Sequence, residues 1–155
     1  ERDVLIAALC NRSKRMTEKL RVNYVDHISI AVKNLDEAVE DYKNAFGWEV
    51  AGRYADLDEK IRVCYFTVGC TAVELVEDIG GTGEVAKFIE RRGEGVMVLS
   101  YNVDNCHESL ALLKRNSVKV VDEKARFARE VQRHFAFIHP KVAHGILIEV
   151  IDGEY

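Results

Sequence analysis

The sequence predicts an α+β fold made of two consecutive βαβββ modules. The order strand, helix and three strands can be traced twice along the 155 residues. Equivalent residues in the two copies lie 71 positions apart, as Lys43 and Lys114 do. After Pro140 the separation grows to 75, which relates Glu74 to Glu149. Two such modules side by side are expected to curve their sheets around one shared cleft with pseudo-twofold symmetry.

The first module is predicted at about residues 25–79. Alternating β-branched residues predict a strand from Tyr24 to Val32. A helix follows, with Asp36 as its candidate cap and Gly47 as its end. The three remaining strands are predicted at Trp48–Tyr54, Ile61–Val68 and Thr71–Val76.

A glycine-rich loop at residues 80–83 and a helix at Glu84–Arg91 are predicted to connect the modules. The second module, at about residues 95–152, repeats the pattern. Its predicted elements are a helix at Cys106–Arg115 and strands at Val96–Val103, Val118–Val121, Val131–Ile138 and Gly145–Ile151. Residues 1–22 are predicted to form an amphipathic helical extension, which leaves residues 23–155 as a single domain.

The composition argues against several classes of function. The chain has 22 Lys and Arg against 26 Asp and Glu and no basic block, so neither nucleic acid nor an anionic membrane is an expected partner. No apolar run approaches the roughly 18 residues that cross a bilayer. The four cysteines form no CxxC pair, which favours reduced thiols in a cytoplasmic protein.

Three ionisable residues lie inside apolar strands, where an unpaired charge is costly to bury. Glu74 and Glu149 occupy equivalent positions in the two copies, so the pseudo-symmetry directs both carboxylates into one cleft. His27 lies in the first strand between apolar neighbours. One imidazole and two carboxylates form a candidate divalent-metal site. The alternative is a hydrogen-bonded core histidine and two glutamates that face solvent.

Arg62 and Arg133 are also 71 positions apart and are interpreted as symmetry mates. Paired arginines could bind a carboxylate or phosphate in the cleft through two parallel hydrogen bonds. The alternative interpretation places both on the outer face of the sheet.

Nearly the whole stretch from Tyr24 to Asp152 resembles the vicinal oxygen chelate (glyoxalase/bleomycin-resistance/dioxygenase) superfamily, and within it the methylmalonyl-CoA epimerases. The matching segments are VDHISIAVKNLDEAVEDYKNAFGWEV, VELVED, FIERRGEGV and FAFIHPKVAHGILIEVID. The resemblance implies a glyoxalase-like cleft, a divalent cation that chelates two oxygens of a small-molecule substrate, and a homodimer.

By resemblance, four strands each supply one metal ligand, at His27, Glu74, Val98 and Glu149. The position at Val98, which lies 71 residues after His27, carries histidine in the epimerases, and valine cannot ligate. Three ligands can suffice, since catalytic metal sites keep open positions. The implied cation, Co, Mn, Ni, Fe or Zn, would be held by His27, Glu74 and Glu149.

A second departure concerns acid–base chemistry. Epimerisation beside a thioester needs a proton-transferring group on each face of the enolate. By resemblance one of these groups is Glu149, the expected catalytic residue, and the position of the other carries Val63. Val63 and Val98 are therefore predicted to line the cleft, together with Ser100, which shares the strand parity of Val98. Both departures argue against efficient methylmalonyl-CoA epimerisation.

Two functions from different classes follow. The first is a divergent metal-assisted isomerase or lyase that acts on a small acid, thioester or 2-oxo compound through an enolate. The second is a metal-free protein that binds an antibiotic or metabolite in the cleft, and the apolar Val63 and Val98 favour it. The three retained ligand positions favour the enzyme.

Overall fold

A computed structural model describes residues 18–155. Most of the predicted helical extension falls on residues outside this range, and residues 18–23 form neither helix nor strand. The strands are β1 Tyr24–Ala31, β2 Gly52–Asp56, β3 Ile61–Val68, β4 Thr71–Asp78, β5 Gly95–Asn102, β6 Arg126–Ala128, β7 Arg133–Ile138 and β8 Leu147–Ile151. The helices are α1 Leu35–Phe46, α2 Glu84–Arg92 and α3 Cys106–Arg115, with a short 3₁₀ helix at Pro140–Ala143.

The eight strands form one sheet in the order β2-β3-β4-β1-β5-β8-β7-β6. Each module contributes one half, and the halves meet where β1 pairs with β5 in antiparallel fashion. Within the modules, β1 pairs with β4 and β5 pairs with β8, both in parallel. The predicted α+β fold with two βαβββ modules is therefore confirmed.

The register at the centre of the sheet is symmetric. His27 lies opposite Ser100, and Ser29 lies opposite Val98. Because a shift of 71 carries His27 to Val98 and Ser29 to Ser100, the two pairs exchange under the pseudo-twofold axis. Strand pairing thus assigns Ser29 and Ser100 as equivalent residues on the face that carries His27.

The register of the outer strands corrects one predicted correspondence. Tyr65 lies opposite Glu74, and Phe137 lies opposite Glu149, so β3 and β7 are related by 72 positions rather than 71. Side chains alternate between the two faces of a strand. A difference of one position therefore puts Arg62 and Arg133 on opposite faces, and they are not symmetry mates.

Two predicted strands have different bounds. The segment predicted to begin at Trp48 becomes a strand only from Gly52, as β2. The predicted strand Val118–Val121 makes a single isolated bridge, from Val120 to Ile138, and the strand at this edge is Arg126–Ala128. Val118 and Val120 pack against the core beneath α3. The alternating valines of this segment reflect its burial. A buried loop can show the same pattern as a strand, so the pattern did not distinguish the two.

The ends of α1 have clear local causes. Asn34, in extended conformation, accepts hydrogen bonds from the backbone amides of Asp36 and Glu37, so Asn34 caps the helix and the predicted cap, Asp36, lies inside it. Gly47 ends the helix in the left-handed region, with φ 68°, where a side chain would be strained.

Helices α1 and α3 cover the outer face of the sheet, where two apolar clusters form, one beneath each helix. Helix α2 packs instead against the concave face, where Val85 joins Val63 and Val76 in a third cluster, and its residues line part of the cavity. The cluster beneath α1 contains Val32, Leu35, Val39, Cys64, Phe66 and Leu75. The cluster beneath α3 contains Val103, Cys106, Leu110, Leu113, Ala136, Ile138, Ile148 and Val150. Among residues 18–155, no helix combines the length and apolar character needed to cross a membrane.

Candidate functional site

The concave face encloses a cavity of about 940 Å³ between the two modules. Apolar side chains from both modules form much of its wall, among them Val76, Met97, Val98, Phe135 and Leu147. Polar side chains of the central strands β1, β4 and β8 lie at its base, namely His27, Ser29, Glu74 and Glu149. The cleft predicted from the duplicated pattern is therefore present, with ionisable groups where the two halves meet.

A β-bulge brings two consecutive residues of β1 to the same region. The register with β5 shifts between Val25 and His27, which leaves Asp26 without a partner in the ladder. In a regular strand, Asp26 and His27 would point to opposite faces of the sheet. The bulge instead allows their side chains to meet. Its Oδ1 lies 2.8 Å from Nδ1 of His27, and both side chains are buried. The imidazole is held by this contact with its Nε2 directed at the glutamates.

Arg133 on β7 is the counterion of Asp26. Its guanidinium makes two hydrogen bonds to the Asp26 carboxylate, one of them 3.0 Å long from Nη1 to Oδ1. Asn102 donates a further bond to Oδ2 at 3.0 Å. Burial alone would raise the pKa of Asp26, but the bonds from His27 and Arg133 outweigh it and lower the pKa from 3.8 to about 2.

His27 meets both predicted glutamates at the base of the cavity. Its Nε2 lies 3.1 Å from Oε2 of Glu149 and 3.7 Å from Oε2 of Glu74. Burial would lower the pKa of His27, but the charges of Glu74 and Glu149 outweigh it and hold that pKa well above 6.5. Burial raises the pKa of Glu74, which the charge of His27 opposes.

Each glutamate is fixed by a serine of the neighbouring central strand. Ser29 donates a hydrogen bond to Glu74 Oε2 at 2.8 Å, and Ser100 donates one to Glu149 Oε2 at 2.5 Å. The two pairs are related by the pseudo-twofold axis. Ser100, predicted to line the cleft, is fully buried and not among the wall residues, whereas its mate Ser29 lines the cavity and was not predicted.

The donor atoms of His27, Glu74 and Glu149 suit a divalent cation in their chemistry. Two ligands in neighbouring positions around one ion stand roughly 3 to 3.5 Å apart, close to the 3.1 and 3.7 Å from His27 Nε2 to the two carboxylates. Across residues 18–155, however, no group of three or more His, Cys, Asp or Glu side chains is arranged so that it could hold a metal ion. The hydrogen bond between His27 and Glu149 would have to open for an ion to enter.

The two valines predicted to line the cleft lie in different surroundings. Val98 is buried and lies at the cavity wall. Val63 shares the inner face with Val76 but is packed in a small apolar cluster with Ala31 and Val85, and it is not among the wall residues. The residue opposite Val63 on β2 is Tyr54, which lines the cavity and donates a 3.4 Å hydrogen bond to Glu74 Oε1.

Tyr155 covers one side of the imidazole. Its ring lies 5.9 Å from that of His27, edge to face, and 4.5 Å from that of Tyr65. The guanidinium carbon of Arg133 lies 5.3 Å from the centre of the same ring. Asn102 and Arg133 also donate to the carbonyl oxygen of Gly153, which holds this segment against the site. The sequence carried no signal for this contact.

Comparisons with known proteins agree with this architecture. A model of the Glyoxalase/Bleomycin resistance protein/Dioxygenase superfamily matches residues 26–137. The uncharacterized protein YqjC of Bacillus subtilis is 29% identical over 133 residues, which cover 84% of this chain and 93% of YqjC. The crystal structure of methylmalonyl-CoA epimerase from Mycobacterium tuberculosis has a TM-score of 0.81 and 29% identity, and the match covers 91% of this chain and 95% of that one.

A further solved structure contains a ligand. It is a Streptomyces coelicolor methylmalonyl-CoA epimerase in complex with 2-nitronate-propionyl-CoA, with a TM-score of 0.81 and 25% identity. The match covers 86% of this chain and 99% of that chain.

Proposed function

Because the chain belongs to the Glyoxalase/Bleomycin resistance protein/Dioxygenase superfamily, we propose that it is an isomerase-like or lyase-like enzyme. It removes a proton beside the carbonyl of a small acid, thioester or 2-oxo compound and forms an enolate. The observation that carries this proposal is the buried Glu149 carboxylate, which faces the cavity, accepts from Ser100 and lies 3.1 Å from His27 Nε2.

Glu149 is assigned the role of base. Ser100 and His27 both contact Oε2 of Glu149, which leaves Oε1 for the proton of the substrate. Ser100 restricts its rotation, and the apolar wall excludes water from the reacting carbon. Asp26 and Arg133 act as positioning residues, since they fix the imidazole that faces Glu149.

A divalent cation is proposed to complete the site, held by His27, Glu74 and Glu149. When bound, it supplies Lewis acidity that polarises a substrate oxygen. Asp26 accepts the Nδ1 proton of His27, an arrangement that leaves Nε2 as the ligating atom once its proton is lost. Val98 provides no donor, so water or substrate oxygens would occupy the remaining positions.

An acyl thioester is the proposed first substrate class to test, supported by the 2-nitronate-propionyl-CoA bound to the Streptomyces coelicolor epimerase. Metal-loaded protein is incubated with methylmalonyl-CoA in deuterium oxide, and NMR follows exchange of the proton at the acidic carbon. Exchange of the acidic proton for deuterium is expected to be faster than inversion of configuration at that carbon, because the position of the second base carries Val63. Glu149→Gln should abolish the exchange.

Glu77→Gln is the matched control, since Glu77 lies on β4 outside the cavity wall and pairs with Arg62. It should leave the exchange unchanged. Absence of exchange, with the acyl thioester and with a 2-oxo acid alike, would contradict the proposed enzyme. Efficient inversion would contradict the role given to Val63.

Metal-free binding of a small molecule is the second candidate function. The apolar wall, with Val98 in the place of a ligand, favours it. The melting temperature distinguishes the two: a rise on addition of Mn²⁺ or Co²⁺, lost in Glu149→Gln, supports the enzyme. No rise with any divalent cation would favour the binding protein.

A homodimer is the proposed assembly, because the apolar residues of the segment 1–22 need a cover. Light scattering should give the mass of two chains, and removal of that segment should give a monomer or aggregates. An unchanged dimer would place the segment outside the interface.

A further inference from the structure

Arg126 lies in the cavity on a platform of two aromatic rings. It faces Phe135 across the β6–β7 ladder. Its guanidinium carbon is 4.6 Å from the centre of the Phe135 ring and 5.4 Å from that of Phe137. All three side chains line the cavity. Stacking of this kind holds a guanidinium in one orientation, which lowers the entropy lost when it binds a ligand.

The hydrogen-bonding capacity of Arg126 is only partly used. Its Nη1 contacts the carboxylate of Glu59, its Nη2 donates a long 3.5 Å hydrogen bond to Asp122 Oδ2, and its Nε lies 3.2 Å from Asp122 Oδ1. The Nε–H is not aligned for a hydrogen bond, and within the described residues this buried donor has no acceptor. A buried donor without an acceptor is costly, so an incoming acceptor would be favoured at this position.

Glu59 reaches Arg126 from the other module. It belongs to the turn between β2 and β3, whereas Arg126 belongs to β6, so their ion pair joins the two halves beside the cavity. The pair is not deeply buried, with side-chain exposures of 39% for Arg126 and 35% for Glu59. Ion pairs this exposed contribute little to stability and exchange partners easily.

We propose that Arg126 is an anion-binding residue, which takes the carboxylate of an organic acid whose apolar body lies on Phe135 and Phe137. The incoming carboxylate displaces Glu59 and offers an acceptor to the guanidinium. Arg91, Arg92 and Arg133 also line the cavity, but none of them is stacked on Phe135 and Phe137. Arg133 is fully engaged by Asp26, Asp152 and Gly153 and cannot take this role.

Arg126 also lies at a distance from the glutamates at the base of the cavity. Two strand spacings lie between β6 and β8, so the backbones of Arg126 and Glu149 are roughly 10 Å apart. A ligand anchored at Arg126 can therefore extend towards Glu149 without placing its carboxylate beside the two glutamates.

The test uses the metal-free full chain and no turnover, so its outcome is independent of the proposed enzyme. Hexanoate is the probe, hexanamide is its uncharged counterpart, and calorimetry measures both. The arginine Nε–H signals of ¹⁵N-labelled protein report where hexanoate binds. Phosphate at the same concentration shows whether any anion or only a carboxylate with an apolar body is taken.

We expect hexanoate, and not hexanamide, to shift the Nε–H signal of Arg126. Arg126→Gln should weaken hexanoate binding about tenfold or more, and Arg126→Lys should weaken it less, since the charge remains. Glu59→Gln should strengthen it severalfold, because the competing carboxylate is removed. Arg62→Gln, which breaks an exposed pair with Glu77, should change nothing.

The proposal is overturned if folded Arg126→Gln binds hexanoate as tightly as the parent, or if hexanamide binds equally well. It is also overturned if Glu59→Gln leaves the affinity unchanged, since the ligand then does not compete with that carboxylate. Equal binding of phosphate would restrict the site to a general anion site without a role for the aromatic platform.

Discussion

Replacement of Asp26 by asparagine tests the buried centre of the fold most directly. The change keeps the shape of the side chain and removes its charge. Arg133, only 2% exposed, would then be left without a counterion, and His27 would lose the acceptor for its Nδ1 proton. Breaking a buried pair from one side typically costs about 3–5 kcal/mol.

A loss of this size is readily measured. For a chain of about this length, 1 kcal/mol corresponds to about 2–4 °C, so the melting temperature of Asp26→Asn should fall by about 6–20 °C. Urea unfolding should show a lower midpoint with an unchanged slope. The matched control is Asp36→Asn, which breaks the exposed pair with Arg53 and should cost about 1 kcal/mol or less.

The pH dependence gives a second measurement on the same residue. The pKa of Asp26 is lowered in the folded protein, from 3.8 to about 2. Its contribution, about 2 kcal/mol, is therefore present above pH 4 and disappears as the pH falls towards 2. Asp26→Asn should lack this acid-dependent component.

The reasoning is refuted if Asp26→Asn is no less stable than Asp36→Asn. A double variant, Asp26→Asn with Arg133→Met, separates charge from packing. It should be more stable than Asp26→Asn alone, because the unpaired buried charge is gone.

Other predictions follow from single contacts. Val98→His should enlarge the rise in melting temperature that Mn²⁺ or Co²⁺ produces, and that rise should weaken as the pH falls, because the ligands must lose protons. Asn34→Ala should lower the free energy of unfolding by about 1 kcal/mol through loss of the α1 cap, measured by urea unfolding. Peptide mapping after iodoacetamide treatment at pH 8 should find the exposed Cys70 modified and the buried Cys64 and Cys106 protected, since burial raises the pKa of the Cys106 thiol to about 12. Modification of Cys106 at the rate of Cys70 would contradict its burial.

The duplicated pattern and the family resemblance together predicted the central part of the site. Glu74, Glu149 and His27 lie on the strands at the centre of the sheet, where the two copies keep the same register and alternation. The repeat predicted that the two glutamates converge, and the family resemblance added His27 to them. Ser29 could have been predicted in the same way, since it precedes Ser100 by the repeat distance of 71.

The parts that could not be predicted depend on irregularities of the backbone. Asp26 enters the site because of a bulge, which the sequence does not mark. Arg133 was wrongly paired with Arg62 because the repeat distance changes by one position in the outer strands. Tyr54 and Arg126 lie on β2 and β6, and their place in the site was not predicted, for Arg126 because β6 itself was missed.

The charges at the base of the cavity explain why a cation and protons compete there. Asp26 and Arg133 neutralise each other, which leaves one imidazole to balance two glutamates. A protonated His27 removes one negative charge, and the raised pKa of Glu74 favours a proton on the second. The symmetry mate of His27 is Val98, which contributes neither a proton nor a ligand. A divalent cation would therefore take the place of the proton on His27, so metal binding at this site must be coupled to proton release.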